Sequence, residues 1–154
     1  MGDRNFRELL TERQKGAKTL VCVGLDPLVE KLPEVIRAAC PSVGVAVFLW
    51  MQEIVASTAP FASMFKPQHA HWEAIPGGID ALQMLGAYIR MHYPQIPVLT
   101  DCKRGDIDRT QTQYKEAHFG LEVTDGMNFS AYMGRGTLKS LIDPAHLGRA
   151  LVGL

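Results

Sequence analysis

Asp101, Lys103 and Asp106 follow a short apolar run in the segment Pro97-Val98-Leu99-Thr100-Asp101-Cys102-Lys103-Arg104-Gly105-Asp106. A strand that ends in Asp-x-Lys-x-x-Asp has its charges at the carboxyl end of a parallel sheet, where α/β folds keep their chemistry. Asp101 and Lys103 are two residues apart, so an extended backbone points both side chains to one face. Asp106 is expected to return to them from the following turn, giving a carboxylate–ammonium–carboxylate cluster. Such a cluster is costly to bury unless every charge is paired, and it offers one ammonium as a positioned proton donor. The competing reading is a solvated turn with surface salt bridges, each worth little.

Three more segments accompany this run in chain order: Val23-Gly24-Leu25-Asp26-Pro27, Phe65-Lys66-Pro67 and Ala131-Tyr132-Met133-Gly134. Together with Asp101-x-Lys103-x-x-Asp106-Ile107 and Thr110, they resemble the signatures of the orotidine 5′-phosphate decarboxylase family, in its bacterial and protozoan branch. The resemblance implies an α/β fold, the (β/α)8 TIM barrel, and conversion of orotidine 5′-phosphate to UMP in pyrimidine biosynthesis. It implies no cofactor, no metal and a cytoplasmic homodimer with shared sites. It assigns catalytic roles to Asp101, Lys103, Asp106 and Lys66, and substrate contacts to Asp26, Ile107, Thr110 and Ser130. In the family, the corresponding Lys protonates C6 of the pyrimidine as carbon dioxide leaves. One of the family's carboxylates lies against the substrate carboxylate. The second Asp, with the following Ile and the nearby Thr, reaches into the partner subunit's site. Asp26 and Lys66 match residues used on the ribose hydroxyls and in the charge network, and Ser130 matches a residue at the pyrimidine edge. Asp26-Pro27 also reads as a plain turn or helix start, and Ser130 as a strand-end serine.

The sequence departs from that pattern in places. Gln68 stands where this branch has Asn, Ala131 where it has Pro, and Asp108-Arg109 where small or amide residues precede the Thr. None of these removes a charged group. The family's phosphate-gripping loop and its Arg follow strands six to eight, beyond Leu154. Relatives on the same fold, hexulose-phosphate synthase-like and keto-gulonate-phosphate decarboxylase-like enzymes, also use Asp-x-Lys-x-x-Asp but bind Mg²⁺. The Gly-Leu-Asp-Pro and Phe-Lys-Pro segments favour the cofactor-free branch. A non-catalytic piece that only folds or dimerises is the alternative from outside enzymology.

The elements that must carry these residues alternate. Helical spacing covers Phe6 to Gln14, Val45 to Ser57, Ile79 to Tyr93, Arg109 to Gly120 and Gly134 to Ile142. Strands are predicted at Leu20 to Val23, at Met64-Phe65 leading into Lys66, after Pro97, and at Glu122 to Phe129. Asp125-Gly126 weakens the last. A fifth strand is expected to start within Arg149 to Leu154. This alternation argues for βαβ units and a parallel sheet. A full barrel needs roughly 200 residues or more. At 154 residues the chain reads as about four β/α units plus the start of strand five, residues 1–154 being the N-terminal half of one barrel domain.

Composition narrows the partners. Formal net charge is zero, so nothing draws the chain to nucleic acid or an anionic membrane surface. The longest apolar run, Val43 to Met51, is too short to span a bilayer, and the N-terminus lacks a signal-peptide segment. Cys22, Cys40 and Cys102 are odd in number and dispersed, which reads as reduced thiols. His69 and His71 would share a strand face; without a nearby Cys or third His, a structural role outweighs metal binding. Gly134-Arg135-Gly136 lacks the Gly-Lys-Ser/Thr ending of a phosphate loop and reads as a turn.

Overall fold

In the computed structural model, which describes residues 4–122 and 124–154, helices and parallel strands alternate along the chain. Helix α1 (Phe6–Ala17) starts where the Asn5 side chain accepts the Glu8 N–H, and ends on Lys18 in the left-handed conformation. Strand β1 (Cys22–Leu25) leads through a 3₁₀ turn (Val29–Lys31) to α2 (Glu34–Ala39) and α3 (Val43–Thr58). The Ser42 hydroxyl caps α3 by accepting the Val45 N–H, and the helix buries Ala46, Val47, Met51 and Val55. Then come β2 (Met64–Pro67), α4 (His69–Glu73), α5 (Gly78–His92) and β3 (Leu99–Arg104). Helix α6 (Asp108–Lys115) runs on into a π-helical turn (Glu116–Leu121), followed by β4 (Gly126–Phe129), α7 (Arg135–Leu141) and β5 (Ala150–Gly153).

All strand pairs are parallel. β1 pairs with β2, β3 with β4 and β4 with β5. Single bridges, Phe65 to Val98 and Gln68 to Asp101, join β2 to β3. Spatial order therefore follows sequence order, and every crossover carries a helix, as βαβ connectivity requires. Among the described residues, the outer edges of β1 and β5 have no strand partner. No helix of the described residues is long and apolar enough to cross a membrane.

The apolar interior forms two clusters. The larger lies between β1, β2, α3 and α5 and includes Leu25, Val47, Val55, Phe65, Trp72, Leu85 and Ile89. It depends on close helix approach at Gly44, where a Cβ would lie 2.8 Å from the Gly77 carbonyl oxygen. The smaller cluster is Phe119, Met127, Phe129 and Leu141.

Several boundaries differ from expectation. The first strand starts at Cys22, not Leu20. Leu20 and Val21 are exposed in the entry turn, where the Thr19 hydroxyl accepts the Val21 N–H. The fourth strand starts at Gly126, not Glu122. Glu122, Thr124 and Asp125 are instead buried and held by side-chain hydrogen bonds. His69 and His71 lie on the short helix α4, not on a strand. The Trp72 indole N–H, donating to the Leu25 carbonyl at 2.9 Å, fastens that helix over the end of β1. Helices α2 and α4 have no counterpart in the sequence reading, being too short for a periodic signal.

Candidate active site

The carboxyl ends of β2, β3 and β4 converge on one buried carboxylate. Asp101, on β3, is 8% exposed. Its Oδ2 accepts from Lys66 Nζ on β2 at 3.0 Å and from Gln68 Nε2 at 3.2 Å. Its Oδ1 accepts from Lys103 Nζ at 2.5 Å and from Asn128 Nδ2 on β4 at 2.5 Å. Burial pushes the Asp101 carboxyl upward. The hydrogen bonds from Lys103, Asn128 and Lys66, with the Lys66 charge, outweigh it and bring the pKa down to about 2. Near neutral pH this is a fixed negative charge between two ammonium groups.

The turn that delivers Lys103 is not the extended strand expected from spacing. Lys103 has φ 50°, the left-handed region that side chains rarely adopt. The cause is Asn128, whose Oδ1 accepts the N–H of Cys102 at 2.8 Å and of Lys103 at 2.7 Å. These bonds replace ladder bonds, and the β3–β4 register shifts between Thr100 and Arg104. Lys103 still reaches Asp101, from a bulge. Its side chain remains half exposed, so the ammonium can face a ligand as well as Asp101. Gly105 then passes so near Ser130 that a Cβ would lie 2.8 Å from the Ser130 carbonyl oxygen. The Ser130 N–H donates to the Arg104 carbonyl at 2.7 Å.

The expected carboxylate–ammonium–carboxylate cluster is therefore an ammonium–carboxylate–ammonium cluster. Asp106 does not return to Lys103 within the chain. Its Oδ1 accepts the Ile107 N–H, its own N–H donates to Gln111 Oε1, and its carbonyl accepts from Thr137 Oγ1. Among the described residues it makes no ion pair. Buried Gln111 and Thr137 thus clamp the Asp106 backbone, while Ile107 and Thr110 stand exposed beside it. Asp26, exposed after β1, accepts the Gln68 N–H at 3.0 Å and ties the first motif to the second.

Sequence reasoning brought Asp101, Lys103 and Lys66 to one place but missed Asn128 and the contribution of Gln68. A buried Asn within an apolar strand was the one available signal for Asn128, because such a group needs a partner.

The family model described as "Orotidine 5'-phosphate decarboxylase / HUMPS family" matches residues 19–154. The orotidine 5′-phosphate decarboxylase of Leptospira interrogans is 35% identical over 144 residues, covering 92% of this chain and 50% of its own length. That of Ralstonia nicotianae is 40% identical over 129 residues, covering 84% of this chain and 46% of its own. A solved Leishmania donovani OMP decarboxylase superposes with a TM-score of 0.77 at 29% identity, over 97% of this chain and 52% of its own. The fold is that of these TIM-barrel proteins over about half their length. The chain spans about half the length of the curated relatives it matches, and it belongs to the orotidine 5′-phosphate decarboxylase/HUMPS family.

Proposed function

We propose that residues 1–154 form the N-terminal half of a barrel domain that decarboxylates orotidine 5′-phosphate to UMP, and that they supply its proton donor. The observation that carries this reading is the Lys66–Asp101–Lys103 array at the strand ends. Decarboxylation breaks the bond from C6 of the pyrimidine to its carboxylate. The electron pair stays on C6 and carbon dioxide departs. An ammonium must then deliver a proton to C6, and Lys103 is the half-exposed ammonium of the array. Asp101, ionised to about pH 2, holds that ammonium and sets a negative charge where the substrate carboxylate would lie. A fixed array also needs no reorganisation as charge develops on C6. Lys66 and Asp26 address the ribose hydroxyls, and Ser130 the pyrimidine edge.

Asp106, Ile107 and Thr110 serve a second subunit in this reading. The exposure of Ile107 and Thr110 and the clamped Asp106 backbone support a role across an interface, in a homodimer with shared sites. The phosphate grip comes from elsewhere in the complete barrel. Remote binding of that kind drives chemistry at the ring, so the chain by itself is expected to turn over little or not at all.

The test measures orotidine 5′-phosphate consumption and UMP formation by the chain alone, and by the chain joined to the C-terminal half of the Leptospira relative. The joined protein is expected to be active, with or without EDTA. Activity that requires added Mg²⁺, on a sugar phosphate instead, would assign the chain to the other branch of its family.

A further inference from the structure

Beneath the Lys103 turn, a set of buried ionisable side chains meets from three elements, and the proposed reaction uses none of them. Glu122, after the π-helical turn, accepts from His69 Nε2 of α4 at 2.6 Å on Oε1 and from His118 Nδ1 at 2.8 Å on Oε2. The two rings pack edge to face, 4.8 Å between centroids. Arg104, the residue after Lys103, reaches into the same cluster. Its Nε donates to His118 Nε2 at 3.4 Å, and its Nη2 lies 3.3 Å from His69 Nδ1 and 2.5 Å from Glu73 Oε1. Its guanidinium lies over the Tyr114 ring at 4.8 Å.

Two histidines and a carboxylate this close could hold a metal ion. The hydrogen-bond directions argue otherwise. A bare ring nitrogen would face a Glu122 oxygen at hydrogen-bond distance with no proton between them, so the nitrogens facing Glu122 carry protons. Arginine can only donate, so the far nitrogen of His118 is already occupied as an acceptor. The lone pairs a cation would need are absent from the inner side of the cluster. What remains is a chain of donors that converges on Glu122. Burial pushes the Glu122 carboxyl upward, and the bonds from His118 and His69 overcome it and lower the pKa to about 2.

We propose that Glu122, His118 and His69 are positioning residues that immobilise Arg104 and so hold Lys103 in its left-handed turn, with its ammonium on Asp101. A side chain in that conformation is strained and persists only where its surroundings over-determine it. On one side of Lys103 the backbone is fixed by Asn128. On the other side it is fixed by Arg104, whose carbonyl accepts the Ser130 N–H and whose guanidinium is locked in the buried cluster. The purpose of this device rests on the decarboxylase reading. The geometry it sets does not, and the test reads geometry alone.

Amide hydrogen exchange and ¹³C titration of Asp101 are followed by NMR on the 154-residue chain. In Glu122→Ala, protection of the Lys103 and Ser130 amides is expected to fall at least tenfold relative to the α3 amides. The Asp101 midpoint is expected to rise from about 2 toward the ordinary aspartate value as Lys103 drifts away. Glu122→Gln keeps one acceptor oxygen and is expected to recover part of both effects. Leu141→Ala, a core change on α7, weakens the same region and is expected to leave the Asp101 midpoint in place. If Glu122→Ala fails to fold, Glu73→Ala decides. That side chain is 43% exposed, its loss removes one anchor of Arg104, and the same amides should lose severalfold protection. A folded variant of either kind with unchanged Lys103 protection and an unchanged Asp101 midpoint overturns the proposal. Turnover is not read, so a failure here leaves the decarboxylase reading standing, and an inactive chain leaves this proposal standing.

Discussion

The two halves of the chain solve the problem of an interior in opposite ways. From β1 to the residues entering β3, seventeen buried apolar side chains form one cluster, with Trp72 and Phe65 at its centre. From β3 to β5 the apolar cluster has four buried members among the described residues. Most of the rest of that interior is polar or charged: beside buried Leu99, the side chains of Thr100, Asp101, Gln111, Lys115, His118, Glu122, Thr124, Asp125, Asn128 and Thr137 are all buried. In the first half those roles fall to Ser63 and His69 alone among the described residues. Apolar burial stabilises without direction, whereas each buried charge must find partners in defined geometry. The first half therefore acts as the platform, and the second spends its interior on placing charges. The proposed site lies at the seam, with Lys66 from the platform and Asp101, Lys103 and Asn128 from the charged half.

Truncation within the platform should have the largest effect. Phe65→Ala empties the centre of the larger cluster and should cost about 3–5 kcal/mol, a large share of a domain's stability. Circular dichroism and urea titration measure it. A loss below about 1 kcal/mol would show that the platform is not what holds the fold.

Removing a charge from the second half should come next in size. Asp125, at the amino end of β4, is 1% exposed and joins Arg4, Arg90 and Arg149, with Arg4 bonded to both of its oxygens at 2.8 and 3.0 Å. It also accepts the Val98 N–H at 3.0 Å. Asp125→Ala removes the acceptor of the buried Val98 N–H and the charge that three part-buried arginines share, and should cost about 3 kcal/mol by the same titration. A neutral outcome would mean that the arginines find water at no cost.

Acid should separate the halves more gently. The folded Glu122 and Asp101 carboxyls have pKa values of about 2, below the 4.5 and 3.8 of the free side chains. A depressed carboxyl stabilises the fold fully above its ordinary value, and that share is lost as pH falls through the folded value. Between about pH 4.5 and 2, amide protection should fall in β3 to β5 before it falls in α3 and α5. Simultaneous loss in both halves would show that the charged interior is no weaker to acid than the apolar one. The smallest effect is expected at Tyr132, which is 93% exposed: Tyr132→Ser should change stability by about 0.5 kcal/mol or less.

The same contrast explains what was legible in the sequence. Asp101, Lys103 and Lys66 could be read because a strand end is local information and their order along the chain matched a known pattern. The parallel β/α alternation could be read for the same reason, since α3 and α5 are long, apolar-rich helices set between strand signals, whereas α2 and α4 are too short to show a period. Asn128 and Gln68 could not be assigned to Asp101, because their meeting depends on the register of β4 and on a single bridge from β2. Asp106 was placed with Lys103 by spacing, but a left-handed residue at 103 and the Gln111–Thr137 clamp send its chain elsewhere. The segment His69 to Glu73 alternates in polarity over too few residues to separate strand from helix. The bond from Trp72 to Leu25, 47 residues away in sequence, decides it.

In the proposed reaction Lys103, held by Asp101, protonates the pyrimidine. Its most direct test is orotidine 5′-phosphate turnover by the chain joined to the C-terminal half of the Leptospira relative, with and without Lys103→Ala. The substitution is expected to lower kcat by at least about 10²-fold, roughly 2.7 kcal/mol of barrier, while the thermal midpoint stays near that of the unsubstituted protein. A folded Lys103→Ala protein that keeps kcat within about tenfold, or roughly 1.4 kcal/mol, would contradict the account.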